Sequence, residues 1–206
     1  MSVLEKLHDQ LVARRRIERL AQHLSARLPQ NARVLDVGCG DGYLASRILS
    51  LRADLHLEGI DVLARKRAAI PVGLYDGSTI PFEDGSYNVV MLVDVVHHAI
   101  DPHRLLQEAT RVASDKLVVK DHLADAVWAH STLRLMDWFG NSHQGVNLPY
   151  NYWTEAQWRD SLAQIGLSIE WRGRRLGLYP WPASLLFDRS LHFVADVATV
   201  PSPSVA

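Results

Sequence analysis

The apolar positions along the first 28 residues recur every three or four residues and then give way to short apolar runs. The spacing predicts one amphipathic helix or two, an N-terminal helical segment over residues 1–28 that ends before Pro29. The positions that set this period are Leu4, Leu7, Leu11, Ile17, Leu20, Leu24 and Leu28.

A strand, a glycine turn, a helix and a second strand follow. Residues 34–37 are nearly all apolar, as in a strand that is buried on both faces of a parallel sheet. Residues 44–51 continue as a helix, and residues 55–60 form a second strand that ends at Asp61. The order strand, turn, helix, strand is that of a βαβ unit.

The alternation of strands and helices continues along the chain. A helix over residues 102–112 begins at Asp101 and Pro102, and a later helix begins at the capping-box pair Thr154 and Gln157. Alternation of this kind predicts a doubly wound α/β fold, a Rossmann-like, seven-stranded, mostly parallel sheet with helices on both faces. The remaining five strands are predicted over residues 72–75, 87–93, 116–120, 167–172 and 191–197.

The chain is predicted to form a single domain, residues 1–206. Its length suffices to bury a core, and no internal repeat or linker divides it. The alternation is interrupted over residues 123–152, an aromatic-rich segment that we interpret as a substrate cover. The tail, residues 200–206, is predicted to be flexible.

Composition and charge narrow the classes of partner. The chain has 48% hydrophobic and 22% charged residues and a formal net charge of -1, which argues against nucleic acid as a partner because phosphate binding favours a basic excess. The single cysteine excludes an internal disulfide. The N-terminus is charged throughout, and no run reaches the roughly 20 apolar residues of a membrane span. We therefore predict a cytoplasmic protein without integral membrane association.

The turn after the first strand carries three glycines, Gly38, Gly40 and Gly42, spaced two apart. The dinucleotide fingerprint places its third glycine at the sixth position, which is Tyr43 here. Free amides at the start of the helix favour an anion, and a carboxylate satisfies them as well as a phosphate does. The spacing therefore disfavours a nicotinamide-dependent dehydrogenase, which is kept as an alternative.

Several segments resemble, in order, the motifs of the class I S-adenosylmethionine (SAM)-dependent methyltransferases. "LDVGCGDG" resembles the first motif, "GID" the end of the second strand, and "DGSTIPFEDGSYNVV" the segment that contacts adenine. "VDVVHHAIDPHRLLQEATRV" resembles the following strand end and helix, and "YWTEAQWRDSLAQIGL" is similar to the helix before the final strand pair. The resemblance is to the small-molecule, type 11-like members, covers nearly the whole chain, and implies SAM as the cofactor.

The resemblance also implies cofactor contacts. The glycine loop would approach the methionine end of SAM with Asp36 orienting it, Asp61 would accept hydrogen bonds from the ribose hydroxyls, and Asp76 would lie beside the adenine amino group. Taken alone, Asp61 could cap a helix and Asp76 could be a turn residue, while Asp94 could contact the SAM ammonium or cap the next turn. The predicted cofactor-binding residues are Asp36, Gly38, Cys39, Gly40, Gly42, Asp61, Val62, Asp76, Gly77 and Asp94.

Ligands of an open parallel sheet collect at the carboxyl ends of the strands, where this sequence places several titratable side chains. Methyl transfer to a hydroxyl or an ammonium requires a base, and histidine suits neutral pH. We predict His98 first and His122 second as that base. A metal held by these two histidines with His97 and Asp121 is the alternative. Adjacent histidines on a turning segment point in different directions, so no metal is predicted.

The predicted cover carries a helical apolar face, and Tyr179 and Trp181 in "LYPWP" could close the other side of an acceptor pocket. An apolar, aromatic pocket suits a small organic acceptor. The alternative is an extra helix packed on the sheet edge, or a homodimer contact. The residues of the cover considered for this face are Trp128, Leu133, Leu135, Met136, Trp138 and Phe139.

Four arginines of the first helix form a basic patch. It could meet an anionic substrate or a membrane surface, but a charge run on an amphipathic helix is usually a solvated face, which we predict here. The arginines are Arg14, Arg15, Arg16 and Arg19.

These features predict a SAM-dependent methyltransferase that acts on an oxygen or nitrogen of a small organic molecule. The sequence has "DVVH" in place of the Asp/Asn-Pro-Pro-aromatic tetrad that, in the family it resembles, marks methylation of nucleobase or glutamine nitrogens. Asn88 stands where that family often has Asp. A non-catalytic SAM-binding protein is the second alternative.

Overall fold

The computed structural model of the protein describes residues 3–65, 67–141, 149–188 and 190–199. Part of the predicted cover, residues 142–148, and the predicted flexible tail, residues 200–206, lie outside the described residues. The strands are β1 (Arg33–Val37), β2 (His56–Asp61), β3 (Val72–Leu74), β4 (Tyr87–Val93), β5 (Ala113–His122), β6 (Leu167–Gly173) and β7 (His192–Thr199).

These seven strands form one sheet in the order β3-β2-β1-β4-β5-β7-β6. β7 runs antiparallel to both of its neighbours, and the other pairs are parallel. The predicted fold class is confirmed, since this is a seven-stranded, mostly parallel sheet of the Rossmann-like kind. β5 begins three residues earlier and ends two residues later than the sequence predicts.

The helices are α1 (Val3–Ser25), α2 (Tyr43–Leu51), α3 (Pro102–Val112), α4 (Ala129–Asn141), α5 (Glu155–Gln164) and α6 (Ser184–Phe187), with a one-turn 3-10 helix over Val96–His98 after β4. The predicted start of α3 is confirmed because Asp101 accepts a hydrogen bond from the Arg104 amide. The predicted capping box at Thr154 and Gln157 is also observed. The short α6 was not predicted from the sequence.

Successive residues of the central strands point to opposite faces of the sheet, and each face is covered. On one face, Val34 and Met91 pack with apolar residues of α1 and α2. On the other face, Leu35 and Leu92 pack with apolar residues of α3 and α5. Burial on both faces explains why these strands read as nearly continuous apolar runs.

One polar contact fixes how the chain enters the sheet. The side-chain oxygen of Asn88, at the start of β4, accepts a hydrogen bond of 2.8 Å from the Arg33 amide at the start of β1. This asparagine therefore acts in strand pairing and lies at the amino end of the strands, opposite the edge where ligands collect.

Among the described residues, no helix has the length and apolar character needed to cross a membrane.

Because β1, β2, β4 and β5 are parallel, their carboxyl ends lie along one edge of the sheet. Asp94 directly follows β4, and its amide donates a hydrogen bond of 2.8 Å to the carbonyl of Lys120 in β5. The Arg16 side chain of α1 reaches Asp94. This edge is the place where the predicted site residues would meet.

Candidate functional site

The glycine loop follows β1 and turns sharply towards α2. Gly38, Gly40 and Gly42 have φ angles of +75°, +60° and +70°, in the left-handed region that favours glycine. A Cβ atom at Gly38 would lie 2.4 Å from Cγ2 of Val95, whereas a Cβ at Gly40 would meet nothing within 4 Å. The loop is thus packed tightly at Gly38 and open at Gly40.

Asp61, at the end of β2, is buried and hydrogen-bonded to this loop. Its Oδ2 accepts from the Gly40 amide at 2.8 Å, and its Oδ1 accepts from the Leu63 amide at 2.8 Å. The residues after it do not form a helix, so Asp61 is not a helix cap. A carboxylate has about four acceptor positions, which leaves acceptors for further donors such as the two hydroxyls of a ribose.

Asp36 lies in β1, beneath the loop, and is almost completely buried. Burial, reinforced by the charge of Asp61, raises the pKa of Asp36 to about 7. Cys39 packs against the backbone of β2, where a Cβ on Gly59 would lie 2.4 Å from its Sγ. Burial, with the charges of Asp36 and Asp61, raises the pKa of the Cys39 thiol to about 12, so the thiol stays protonated.

Asp76 lies in the exposed turn after β3. Its Oδ1 accepts hydrogen bonds of 2.8 Å from the amides of Ser78 and Thr79, and these bonds lower the pKa of its carboxyl. Gly77 has a φ of +82°, and a Cβ there would lie 3.2 Å from the exposed side chain of Val62. Asp76 is therefore a turn residue, as one interpretation predicts, and its second oxygen remains for an adenine contact.

These features fit a sulfonium nucleoside. The open backbone at Gly40 accommodates a ligand where a side chain would intrude, and Asp61 has acceptors to spare beside it. The negative charges of the loop region suit a cofactor that carries an ammonium and a sulfonium. That Asp36, Asp61, Asp76 and the glycines hold the cofactor stays a prediction.

Asp94 lies between the glycine loop and β5, with a φ of +54°. Its carboxylate accepts hydrogen bonds from the fully buried Lys120 and from Arg16 of α1. The Nε2 atom of His122 lies 3.5 Å from Asp94. Asp94 as an ammonium contact and Asp94 as a turn cap both stay predictions. The structure adds two cationic partners, Lys120 and Arg16, that neither prediction included.

The prediction that the arginines of α1 form a solvated face is wrong for Arg16. Arg14 and Arg15 are exposed, but Arg16 turns inward to Asp94, and the guanidinium of Arg19 lies against Gly177. Helical periodicity places Arg16 and Arg19 on the same side of α1, towards the sheet edge, and the negative charge of Asp94 stabilises Arg16 there.

His97, in the 3-10 helix, is the centre of a buried polar network. Its Nδ1 lies 2.6 Å from Oδ1 of Asp121 and its Nε2 lies 3.3 Å from Oδ2 of Asp137. The Tyr152 hydroxyl donates to the same oxygen of Asp137. Burial alone would lower the pKa of His97, but the negative charges of Asp121 and Asp137 outweigh it and raise the pKa to about 10.

The two predicted bases have different surroundings. His98 is partly exposed, but its Nδ1 is buried and has no hydrogen-bond partner among the described residues. Burial together with the charge of His97 lowers the pKa of His98. His122 is almost completely buried, and within the described part of the chain its Nδ1 also has no partner. Burial and the charge of Lys120 hold the pKa of His122 well below its usual value. Both imidazoles are therefore neutral at pH 7.

In the part of the chain that the structure describes, two groups of donor atoms have spacings that a metal ion could use. His97, Asp121 and His122 form one, and His97, His98 and Asp137 form the other, each with atoms within 4.8 Å of one another. Asp121 Oδ1, however, already accepts from His97 Nδ1 and from the His122 amide at 2.7 Å. Asp121 is thus already engaged by hydrogen bonds within the first group, while Nδ1 of His122 has no hydrogen-bond partner among the described residues.

The predicted cover includes α4, which packs through Leu133 onto Leu191 and Tyr152. Trp128 is 75% exposed and Trp138 is 54% exposed, and Leu135 is also exposed. On the other side, the Tyr179 ring stacks at 6.0 Å from that of His192, near Arg16, whereas Trp181 is exposed. Met136 is half-buried, and the side chain of Phe139 lies outside the described residues.

Sequence reasoning missed several residues of this edge: Arg16 as an ion-pair partner, Asp137, Tyr152 and His192. A usable signal was Asp137, which falls four residues after the buried Leu133 on the face of α4 that packs inward. A carboxylate on the apolar face of a helix indicates a buried cationic partner.

A sheet of this order, with a glycine loop after its first strand and a buried acid at the end of its second, is the architecture of the Rossmann-like α/β class. The sequence profile of the methyltransferase domain family matches residues 8–170. The chain therefore belongs to this family, whose cofactor is SAM. Family membership removes the dehydrogenase alternative.

Individual relatives agree with this assignment. An uncharacterized methyltransferase from Mycolicibacterium gilvum is 35% identical over 92 residues, which are 40% of this chain and 35% of that protein. The 27-O-demethylrifamycin SV methyltransferase of Amycolatopsis mediterranei is 28% identical over 109 residues, 46% of this chain and 40% of that protein. The matches thus span less than half the length of these curated relatives.

A solved structure supports the fold. The SAM-dependent methyltransferase from Mesorhizobium loti superposes with a TM-score of 0.60 at 17% identity, over 85% of this chain and 95% of that one. At this identity the similarity shows the fold alone.

Proposed function

We propose that the protein transfers the methyl group of SAM to an oxygen or nitrogen of a small organic molecule, at the carboxyl ends of β4 and β5. The observation that carries this proposal is the position of His98. It is neutral and partly exposed, and its Nδ1 is a buried ring nitrogen with no hydrogen-bond partner among the described residues. It is also three residues from Val95, which packs against Gly38 of the glycine loop. A proton acceptor thus lies beside the predicted cofactor crevice.

Bound SAM supplies an electrophilic methyl group, so the protein has to orient the acceptor, exclude water and take up a proton. Asp61 and the glycine loop would hold the cofactor, with Asp36 beneath them. His98 would accept the proton that the acceptor loses. His122 is the second candidate, but its ring is almost completely buried, so acceptor contact with it requires that Tyr152 or its neighbours move.

The class of acceptor is supported by two features. The printed activity of the Amycolatopsis relative is methylation of a 27-O-demethylrifamycin, which favours an oxygen of an organic compound. The exposed aromatic side chains of Trp128, just before α4, and Trp138, within α4, offer apolar contacts in the predicted cover. These side chains could instead form a homodimer contact, and the mass of the protein in solution separates the two uses. The cytoplasmic location stays a prediction.

The test is incubation with methyl-labelled SAM and fractionated small-molecule extracts, followed by mass identification of the labelled product. We expect one methylated small molecule. We expect His98→Ala to lower kcat by about 10² to 10⁴-fold, the usual contribution of a general base, while the Kd for SAM is unchanged. His56→Ala, at an exposed position at the start of β2, is the matched control and should retain full activity.

Two outcomes would contradict parts of this proposal. SAM binding without any labelled product in extracts would favour a non-catalytic SAM-binding protein. Full activity of His98→Ala would remove His98 as the base and leave His122, for which the same comparison with His122→Ala can be made.

A further inference from the structure

His97 connects three separate parts of the chain at the acceptor side of the site. It lies in the 3-10 helix after β4, while Asp121 ends β5 and Asp137 lies in α4. Its backbone amide also points to Asp121, at 3.4 Å from Oδ2. Tyr152 extends the network through its hydroxyl bond to Asp137. Two of these partners, Asp137 and Tyr152, belong to the predicted cover, residues 123–152.

The contacts of His97 with its neighbouring histidines place it directly beside the proposed base. The ring centroids of His97 and His98 are 4.0 Å apart, and those of His97 and His122 are 4.7 Å apart. His97 is almost completely buried and His98 is partly exposed. The arrangement therefore has an inner imidazole held by carboxylates and an outer imidazole that is partly exposed and whose Nδ1 is buried.

The charged groups around His97 and Asp94, at the carboxyl ends of the strands, have a net charge of zero when His97 is protonated. Asp121 and Asp137 face the imidazolium of His97, and Asp94 faces Lys120 and Arg16. These are three negative and three positive groups. A metal ion in place of the proton on His97 would add charge to a set that is already neutral, so the proton is the better occupant of this position.

We propose that His97 is a positioning residue: as an imidazolium between Asp121 and Asp137 it holds α4 of the cover against the end of β5 and fixes the ring of His98 at the acceptor site. This inference rests on the proposed function in one respect, the assignment of His98 as the base. His97 itself does not touch the acceptor. Its effect on the reaction is exerted through His98 and through the closed position of α4.

The proposal has an electrostatic consequence with a defined sign. Among the described residues, the titratable and charged groups that face His98 are His97 on its own element, Asp121 of β5, Asp137 of α4 and Asp94 after β4. The positive charge of His97 lowers the pKa of His98, and the negative charge of Asp137 raises it. Loss of the positive charge of His97 should therefore raise the pKa of His98, and loss of the negative charge of Asp137 should lower it.

The experiment compares the His97→Asn, Asp137→Asn and Tyr152→Phe variants with the unmodified chain by NMR titration of ring-labelled histidines. We expect the pKa of His98 to rise in His97→Asn and to fall in Asp137→Asn. This measurement needs no acceptor, so it can succeed or fail independently of the proposed function. Replacement of exposed His130 on α4 by Ala is the control, with no expected shift.

Hydrogen exchange measures the second part of the proposal, the docking of α4. Asp137→Asn and Tyr152→Phe should each raise exchange in residues 129–141 by about tenfold or more, while exchange in β1 and β4 stays unchanged. With the acceptor identified, these variants should raise its KM and lower kcat, with the Kd for SAM unaffected.

The proposal is overturned if both charge variants shift the pKa of His98 in the same direction, or if α4 exchange does not change in Asp137→Asn. It is also overturned if the purified protein contains a stoichiometric transition metal whose removal reproduces the effects of His97→Asn. If His97→Asn does not fold, the fall in the pKa of His98 in Asp137→Asn and the change in exchange decide the question, since Asp137→Asn keeps the shape of the side chain.

Discussion

The glycine loop and the network around His97 lie at the same edge of the sheet, but different contacts hold them. The loop is fixed mainly through its backbone: the amides of Gly38 and Cys39 donate to the carbonyl of Ile60 at 2.8 Å and 3.2 Å, and the Gly40 amide donates to Asp61. The histidine network is fixed by side chains, among them His97 with Asp121 and Asp137.

The sequence distance between partners differs as well. The loop and Asp61 belong to one βαβ unit and are 21 residues apart. At the acceptor side, Arg16 is 78 residues from Asp94, and Lys120 is 72 residues from His192. The cofactor side is therefore specified by a short motif, whereas the acceptor side depends on the docking of distant elements and on paired buried charges. The two regions should respond differently to mutation.

The largest effect is expected at the acceptor side, from Asp94→Ala. The substitution leaves the fully buried Lys120 without its carboxylate partner, and removal of one member of a buried pair typically costs about 3 to 5 kcal/mol. Urea denaturation should show this loss in the free energy of unfolding. The control is the double variant with Lys120→Met, which removes the stranded charge and should recover most of the stability. Equal instability of the single and double variants would contradict the importance of the pair.

The next effect concerns Asp36 and depends on pH. The pKa of Asp36 is raised from 3.8 to about 7 in the folded chain, so between these values the folded state keeps a proton that the unfolded state has released. The free energy of unfolding should therefore fall as pH rises from about 4 to about 7, by at most about 4 kcal/mol for this group.

Replacement of Asp36 by Asn removes this pH dependence. The stability of Asp36→Asn relative to the unmodified chain should increase with pH through the same window. The exposed Asp115 provides the matched control variant, Asp115→Asn, which removes one carboxylate from the surface. A flat difference for Asp36→Asn would show that the carboxyl is not buried as described.

A smaller effect is expected within the glycine loop, from Gly38→Ala. The added Cβ would lie 2.4 Å from Cγ2 of Val95 at a φ of +75°, so left-handed strain and overpacking should together cost about 2 to 4 kcal/mol. Gly40→Ala has the same kind of φ but open space, so it should cost only about 1 kcal/mol in stability while it weakens SAM binding. Equal destabilisation by the two variants would contradict the tight packing at Gly38.

The contrast between the glycine loop and the network around His97 also explains which parts of the structure could be predicted from the sequence. The seven strands and the start of α3 follow from apolar runs and capping residues that act locally. The glycine loop and Asp61 were predicted because one βαβ unit contains both. In each case, the residues that give the sequence pattern and the element that they form lie within a few positions of each other or within one βαβ unit.

The rest depends on tertiary packing. From the sequence pattern of its helix, Arg16 cannot be distinguished from an arginine that faces solvent. Only the tertiary fold brings Asp94 next to it. The partnership of His97 with Asp121 and Asp137 requires that the ends of two strands and α4 meet. The helix α6 has only four residues, which is too short for a hydrophobic period to be recognised in the sequence.

The central claim is that SAM binds in a crevice beside the glycine loop and Asp61. The most direct test is a crystal structure of the protein with S-adenosylhomocysteine. We expect the ribose hydroxyls to donate hydrogen bonds to Asp61, and the amino acid end of the ligand to lie against the backbone at Gly40. A folded protein with no ligand in this crevice, or with the ribose away from Asp61, would contradict the account.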